Sequence, residues 1–129
     1  MKNKKKAIIF GVTGQDGSYL SSFLIKKNYL VYGVYRRTSG KSFFRLKNQI
    51  NHKNFKLIVG DVSDPVSVLE ILGETKPDEI YNLAAQSHVG VSFKVPQSTL
   101  FINSFGVLNI LESIRNLKLT KKTKFSVRS

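Results

Sequence analysis

Three glycines spaced three residues apart near the N-terminus constrain the fold of this chain more than any other feature. Gly11, Gly14 and Gly17 follow a short apolar run at residues 7–10 and precede apolar residues at helical spacing within 18–27. A buried strand, a glycine turn and a helix, in that order, form the phosphate-binding unit of a dinucleotide site. The pattern therefore predicts an α/β fold that begins with this unit.

Each glycine has its own physical role in such a turn. Gly11 lets the chain turn sharply away from the strand, Gly14 leaves room for a pyrophosphate beside the backbone, and Gly17 lets the helix pack close to the sheet. The first helical turn then offers its N–H groups and the positive end of the helix dipole to an anion. A glycine-rich turn without a ligand is the alternative. The cofactor-binding residues predicted here are Gly11, Val12, Thr13, Gly14, Gln15, Asp16 and Gly17.

The residues after the second predicted strand, at 30–35, indicate which cofactor is bound. In an NAD enzyme of this layout, a carboxylate about 20 residues beyond the glycines binds the adenosine ribose. Residues 18–59 contain no Asp or Glu, and two arginines follow the strand instead. Because a guanidinium matches the oxygens of a phosphate, the pair favours a 2′-phosphate and therefore NADP, whereas solvated surface arginines are the alternative. The residues predicted to bind this phosphate are Arg36, Arg37, Thr38 and Ser39.

Two further strand ends supply candidate ligand contacts. The predicted third strand at 55–59 leads into Asp61 and Val62, which are placed to meet an adenine ring, although an Asp in a turn is equally compatible. The predicted fourth strand at 78–82 leads into small residues that leave room at the carboxyl end of a central strand, where ligands bind. The cofactor-binding residues predicted there are Leu83, Ala84, Ala85, Gln86 and Ser87. Ser87 and His88 are the substrate-side candidates, and a substrate contact or a loop role for His88 is favoured over direct catalysis.

The rest of the chain completes an alternating pattern of strands and helices. Asp64 and Pro65 have the residue types of an N-cap and a first helical position, and a partly helical connection is expected at 43–50. A long helix is predicted at 98–116, and a last strand at 123–127. The predicted fold is a Rossmann-like doubly wound parallel sheet, truncated at about its fifth strand. Its predicted division is a basic disordered lead at 1–6 and an NADP-binding Rossmann domain at 7–129.

Composition excludes several classes of protein. The 129 residues contain no cysteine, so they have neither a disulfide framework nor a thiolate metal site, and no metal ligands are assigned. No stretch is long and apolar enough to cross a membrane, and a cytoplasmic location is expected. The net charge of +13 comes partly from lysines concentrated at the two ends. The remaining lysines are dispersed and lack an interleaved aromatic platform, so a solvated basic surface is favoured over nucleic-acid binding.

Together these motifs resemble the N-terminal part of the GDP-mannose 4,6-dehydratase family, a branch of the extended short-chain dehydrogenases/reductases. The glycine pattern alone fits many sugar-nucleotide enzymes, but its combination with the arginine pair and with Gln86-Ser87-His88-Val89 is more specific. The resemblance covers most of residues 7–125. Its motifs lie in residues 11–20, 36–39, 60–62 and 81–89.

The resemblance implies an activity, a cofactor and a substrate. Members of this family convert GDP-mannose to GDP-4-keto-6-deoxymannose: NADP accepts hydride from C4, water leaves across C5 and C6, and the hydride returns to C6. The resemblance assigns NADP to the glycine loop, to the arginine segment, to Asp61 and Val62, and to residues 83–87. The wide apolar face of the helix at 98–116, independently of the resemblance, is typical of a subunit contact and would allow a homo-oligomer, although core packing of that helix is the default expectation.

The chain departs from the family pattern in two places. Ser98 stands where the family commonly has a cofactor-contacting Tyr, and no Tyr in the chain has a Lys four positions later. Because the family's catalytic Thr and Glu also have no counterpart, no catalytic residue is assigned, and the isolated chain is expected to be an inactive truncated copy. The alternatives are a stand-alone NADP-binding or regulatory module, another sugar-nucleotide epimerase or dehydratase, and a basic nucleic-acid binder.

Overall fold

The computed structural model describes residues 4–37, 43–84 and 96–127, with side chains throughout these ranges except at 96–105 and 127. Within the described ranges the chain forms five strands and three α-helices. The strands are β1 (Lys6–Phe10), β2 (Leu30–Tyr35), β3 (Phe55–Val59), β4 (Glu79–Asn82) and β5 (Lys124–Val127). The helices are α1 (Gln15–Lys26), α2 (Pro65–Thr75) and α3 (Pro96–Asn116), and a short 3-10 helix covers Phe44–Leu46.

The five strands form one parallel sheet in the order β3-β2-β1-β4-β5. At the centre of the sheet, Ile9 of β1 lies opposite Gly33 on one side and Tyr81 on the other. The strand order therefore reverses beside β1, and this is the position where open α/β sheets bind ligands at their carboxyl edge. The predicted doubly wound parallel sheet is confirmed.

The central strand is buried on both faces of the sheet. Ile8 and Phe10 belong to an apolar cluster with residues of α2 and α3, whereas Ala7 and Ile9 belong to a second cluster with α1. A parallel strand covered on both faces is an unbroken apolar run rather than an alternating one. This burial explains why β1 was recognisable from the sequence.

The predicted elements are present, and their boundaries differ by one residue at the starts of β1, β4 and β5 and at the end of α1, and by two or three residues at the starts of two helices. β2 and β3 have the predicted bounds, and the Asp64 carboxylate caps α2 by accepting from the Val66 N–H at 3.0 Å. The helix after the glycine turn begins at Gln15 rather than at residue 18, because Gly14 is its N-cap and the first turn is too polar to show apolar periodicity. The long helix begins at Pro96 rather than at residue 98.

Two further findings concern the composition-based expectations. None of the described helices is both long and apolar enough to span a membrane. Among the described residues, no group of three or more His, Cys, Asp or Glu side chains is arranged to hold a metal ion.

Candidate nucleotide-binding site

The turn after β1 brings the ends of three neighbouring strands together. Gly11 has a φ of +83°, and its N–H donates to the Val34 carbonyl of β2 at 3.0 Å. A β-carbon on Gly11 would lie 2.7 Å from the Ala84 amide nitrogen just beyond β4. Both the positive φ and this close approach require glycine. The turn therefore lies at the carboxyl edge of the sheet, where the strand order reverses.

Gly17 is required by packing within the chain itself. A β-carbon there would lie 2.6 Å from the Gly11 carbonyl oxygen and 2.7 Å from the Val12 α-carbon. Both of these contacts are with backbone, which cannot move aside as a flexible side chain can. Gly17 consequently sets how closely α1 approaches the turn.

Gly14 differs from the other two glycines because nothing in the described chain requires it. Its φ is −75°, which any residue adopts, and a β-carbon would meet only the Gly11 carbonyl oxygen at an ordinary 3.6 Å. As the N-cap, Gly14 makes no side-chain bond to the first turn of α1. Among the described residues, nothing fills the space beside Gly14, which lies at the positive end of a helix.

Val12 anchors the turn to the sheet and explains a residue that sequence reasoning missed. The Val12 side chain is fully buried, and a β-carbon on Gly33 of β2 would lie 2.9 Å from both of its methyl carbons. Gly33 thus makes the space in which Val12 is buried. A glycine inside an apolar strand is a known signal of such close approach.

Sequence reasoning also missed a set of hydrogen bonds that holds the first half of α1 in place. The buried Gln49 side-chain amide donates to the Ser18 carbonyl and to the Ser21 hydroxyl, both at 2.9 Å. The Ser18 hydroxyl in turn donates to the Gln15 carbonyl at 2.8 Å. The two bonds of Gln49 connect residues far apart in the sequence, so no local pattern could have identified them.

The arginine pair lies next to the turn, at the carboxyl end of β2. Arg36 and Arg37 follow β2 directly, and both are exposed. Their position relative to the turn is fixed, because Gly11 and Val12 both donate to the Val34 carbonyl two residues earlier. Thr38 and Ser39, the predicted hydroxyl donors, lie outside the described residues.

Asp61 has a structural role in the turn between β3 and α2. Its Oδ1 atom accepts from the Ser63 N–H at 3.0 Å and from the Ser63 hydroxyl at 2.7 Å, and the Asp61 N–H donates to the Ser67 hydroxyl at 3.0 Å. The Val62 carbonyl accepts from the Asn109 side chain of α3 at 2.9 Å. The alternative of an Asp in a turn is therefore supported, and adenine contacts by Asp61 and Val62 stay a prediction.

The end of β4 closes the other side of the turn. The Leu83 N–H donates to the Phe10 carbonyl at 2.9 Å, and the Ala84 N–H donates to the buried Asn82 side chain at 3.2 Å. The remaining residues predicted on this segment lie outside the described residues. They are Ala85, Gln86, Ser87 and His88.

Two tyrosines near this sheet are unsuited to act as bases. The Tyr29 and Tyr81 hydroxyls donate to the two carboxylate oxygens of Glu79, at 2.7 and 2.5 Å. Burial and the bond to Glu79 raise the pKa of Tyr81, and the bond to Glu79 likewise raises the pKa of Tyr29. Both phenols therefore stay protonated near neutral pH.

Solved structures with the same fold come from sugar-nucleotide enzymes. A UDP-Glc/GlcNAc 4-epimerase from Campylobacter jejuni superposes with a TM-score of 0.79 at 23% identity, covering 95% of this chain and 36% of that one. A dTDP-glucose 4,6-dehydratase from Bacillus anthracis, solved in complex with NAD, has a TM-score of 0.75 at 18% identity and covers 95% and 36%. The strand order, the glycine turn and these similarities define a Rossmann-type domain.

The sequence comparisons give the family within that class. The profile of the family described as GDP-mannose 4,6 dehydratase matches residues 8–129. The chain therefore belongs to the GDP-mannose 4,6-dehydratase family, as the motifs predicted.

Relatives from bacteria, plants and animals each match nearly the whole of this chain. A Vibrio cholerae GDP-mannose 4,6-dehydratase is 51% identical over 128 residues, covering 95% of this chain and 34% of the relative. An Arabidopsis thaliana relative is 45% identical over 122 residues (90% and 34%), and one from Cricetulus griseus is 43% identical over 130 residues (96% and 35%). The chain thus spans about a third of the length of these relatives.

Proposed function

We propose that this chain binds NADP at the carboxyl edge of the sheet, as the cofactor-binding part of a GDP-mannose 4,6-dehydratase. The observation that carries the proposal is the space beside Gly14 that no described residue fills, at the start of a helix whose N-cap has no side chain. Gly11 and Gly17 are explained by contacts within the chain, whereas Gly14 is explained by a pyrophosphate that approaches the backbone. The related Bacillus anthracis dehydratase was solved with NAD, which agrees with a dinucleotide at this edge.

The choice of NADP over NAD rests on charge at the end of β2. Arg36 and Arg37 are exposed there, next to the turn, and residues 18–59 offer no carboxylate for the ribose hydroxyls. Guanidinium groups bind phosphate oxygens strongly, often through two parallel hydrogen bonds. The predicted donors Thr38 and Ser39 would complete this phosphate subsite, and Asp61 and Val62 would lie on the adenine side.

The proposed reaction is the one its family carries out on GDP-mannose. NADP would supply the hydride acceptor and donor for this reaction. In this chain, the glycine turn and the first turn of α1 would hold the pyrophosphate, and the two arginines would hold the adenosine end. Cofactor contacts by residues 83–87 and substrate contacts by Ser87 and His88 stay predictions.

The 129-residue chain is proposed to bind the cofactor without turning over substrate. It has no Tyr-x-x-x-Lys pair, and the phenols of Tyr29 and Tyr81 are committed to Glu79. A homo-oligomer through α3 is a further proposal, because Leu108 and Leu111 of that helix are each about half exposed. A cytoplasmic location accords with a nucleotide-sugar substrate and stays a prediction.

Calorimetric titration of the chain with NADP and with NAD tests the proposal. We expect saturable binding with NADP at least tenfold tighter, since charge-assisted hydrogen bonds contribute roughly 1.5–3 kcal/mol each. Replacing both arginines (Arg36→Ala/Arg37→Ala) should remove the preference for NADP and leave NAD binding unchanged. The matched control is Lys47→Ala/Lys53→Ala, which removes the same charge from two exposed positions elsewhere. An equal loss in both double variants would reject a phosphate subsite at the end of β2.

A further inference from the structure

The two basic runs at the ends of the sequence, which the proposed cofactor site does not use, meet at the amino edge of the sheet. The Asp78 N–H donates to the Lys6 carbonyl at 2.8 Å, and the Lys124 N–H donates to the Asp78 carbonyl at 2.8 Å. Asp78 therefore joins the start of β1 to the start of β5. The basic residues before β1 and those in the loop before β5 are brought together by the parallel topology rather than by sequence proximity.

An open hollow of about 630 Å³ lies at this edge. This volume is within the range of about 300–1,000 Å³ that small-molecule sites occupy. Four lysines and one aspartate line it, so its charge is strongly positive. The lining residues are Lys4, Lys5, Lys6, Leu30, Asp78 and Lys122.

The single carboxylate in the hollow is already engaged by donors of the chain. Asp78 accepts from the Lys6 N–H at 2.8 Å through Oδ2 and from the Lys122 ammonium at 2.8 Å through Oδ1. Partial burial raises its pKa, but the bonds from Lys122 and Lys6 outweigh that effect and lower the pKa below the ordinary value of 3.8. Asp78 is therefore ionised near neutral pH and holds Lys122 at the rim.

The other ammonium groups of the hollow form no ion pair with a carboxylate in the described part of the chain, although Asp78 also attracts Lys5 at longer range. The Lys6 ammonium donates to the Thr75 carbonyl at the end of α2, at 3.3 Å. Within residues 4–37, 43–84 and 106–126, neither Lys4 nor Lys5 makes an ion pair. Several positive charges thus converge on one hollow with a single negative charge among them.

We infer that this hollow binds an oligophosphate, meaning a chain of three or more linked phosphates. Lysines bind phosphate as point charges, and separate ammonium groups around one hollow match the several charges of an oligophosphate better than those of a single phosphate. Among the described residues, the lining contains no aromatic side chain on which a base could stack and one apolar residue, Leu30. Recognition is therefore of the phosphate chain, whether it is inorganic or belongs to a nucleoside triphosphate.

This hollow is separate from the proposed cofactor site. It lies at the Lys6 end of β1, whereas the glycine turn follows Phe10 at the other end. A five-residue strand holds the two ends about 13 Å apart, because each residue advances about 3.3 Å. Both sites can be filled at once, and each can be tested without the other.

Calorimetric titration with inorganic tripolyphosphate tests the inference. The informative variant is Lys4→Ala/Lys5→Ala, which leaves both hydrogen bonds of Asp78 intact. We expect the dissociation constant of this variant for tripolyphosphate to rise about fivefold or more at near-physiological salt. Removing two charges from the binding site weakens binding more than removing two distant charges, because salt screens the distant ones. Binding should be unchanged in Lys47→Ala/Lys53→Ala, which carries the same net charge.

Three results would overturn the inference. Equal weakening in both lysine double variants would mean unspecific attraction to a basic chain, and loss in the arginine variant alone would place the anion at the cofactor site. ATP and tripolyphosphate should bind within about threefold of each other, because no base contact is available. Much tighter binding of ATP, or of a short single-stranded oligonucleotide, than of tripolyphosphate would mean that the hollow recognises a nucleotide or a nucleic acid rather than an oligophosphate.

Discussion

The two edges of this sheet present different chemistry to solvent. At the carboxyl edge, the backbone of the glycine turn approaches the end of β4 closely, with Gly11 against Ala84. At the amino edge, long charged side chains surround Asp78. The comparison shows that the glycine turn depends on the absence of side chains, whereas the amino edge depends on their charge. Substitutions that add atoms should therefore harm the glycine turn, and substitutions that remove lysine charge should change only the amino edge.

The largest effect is expected from adding a methyl group at Gly17. Gly17→Ala would place a β-carbon 2.6 Å from a backbone oxygen, so either α1 or the turn must move. We expect a loss of about 3 kcal/mol or more in the free energy of unfolding, measured by urea denaturation. A loss below about 1 kcal/mol would show that the close approach of α1 to the turn is not a packing constraint.

A smaller loss is expected at Gly33, where side chains rather than backbone meet the added atom. A β-carbon in Gly33→Ala would contact the Val12 methyl carbons at 2.9 Å and the Phe55 ring at 3.0 Å, and both can shift. We expect about 1–2 kcal/mol of destabilisation in the same assay. The control is Gly73→Ala, whose β-carbon would have only ordinary contacts with Leu117, at 3.7 Å and beyond. A larger loss of unfolding free energy in Gly73→Ala than in Gly33→Ala would contradict this explanation.

Loss of the α2 N-cap tests a local contribution to stability that involves neither edge of the sheet. Asp64→Ala removes the acceptor for the Val66 N–H and should cost about 1 kcal/mol. Asp64→Asn preserves an acceptor and should retain most of the stability. Equal losses in the two variants would argue against capping as the cause.

The smallest effect is expected at the amino edge and should depend on pH. Because the folded-state pKa of Asp78 lies below its ordinary value of 3.8, the ionised carboxylate stabilises the folded chain above that value. This stabilisation is lost as pH falls through the folded-state pKa. Asp78→Asn should therefore lower the free energy of unfolding by less than about 1 kcal/mol near pH 7, with the difference shrinking below about pH 4. A difference that grows in acid would contradict this direction.

The two edges also differ in how well the sequence predicted them. The glycine turn is a local motif in which a buried strand, three glycines and a helix are contiguous. A close backbone approach requires glycine, and glycine is visible in the sequence. The bounds of β2 and the cap at Asp64 were predictable for the same reason, because each depends on residues that are neighbours in the sequence.

Features that depend on the topology were not predictable. The bonds of Gln49 to Ser18 and Ser21 join distant segments, and the basic hollow forms only once β1 and β5 lie on either side of β4. The start of α1 was predicted three residues late, because its first turn is polar and therefore lacks the apolar periodicity that marks a helix face in the sequence.

The most direct test of the central claim uses Gly14, the one glycine of the turn that the described chain does not itself require. Gly14→Ala should fold with a free energy of unfolding within about 1 kcal/mol of the parent chain, since its β-carbon enters open space at an ordinary φ. Calorimetric titration should show NADP binding weakened about tenfold or more, because the added methyl group occupies the pyrophosphate position. Unchanged NADP affinity in a folded Gly14→Ala chain would contradict a pyrophosphate site at this turn.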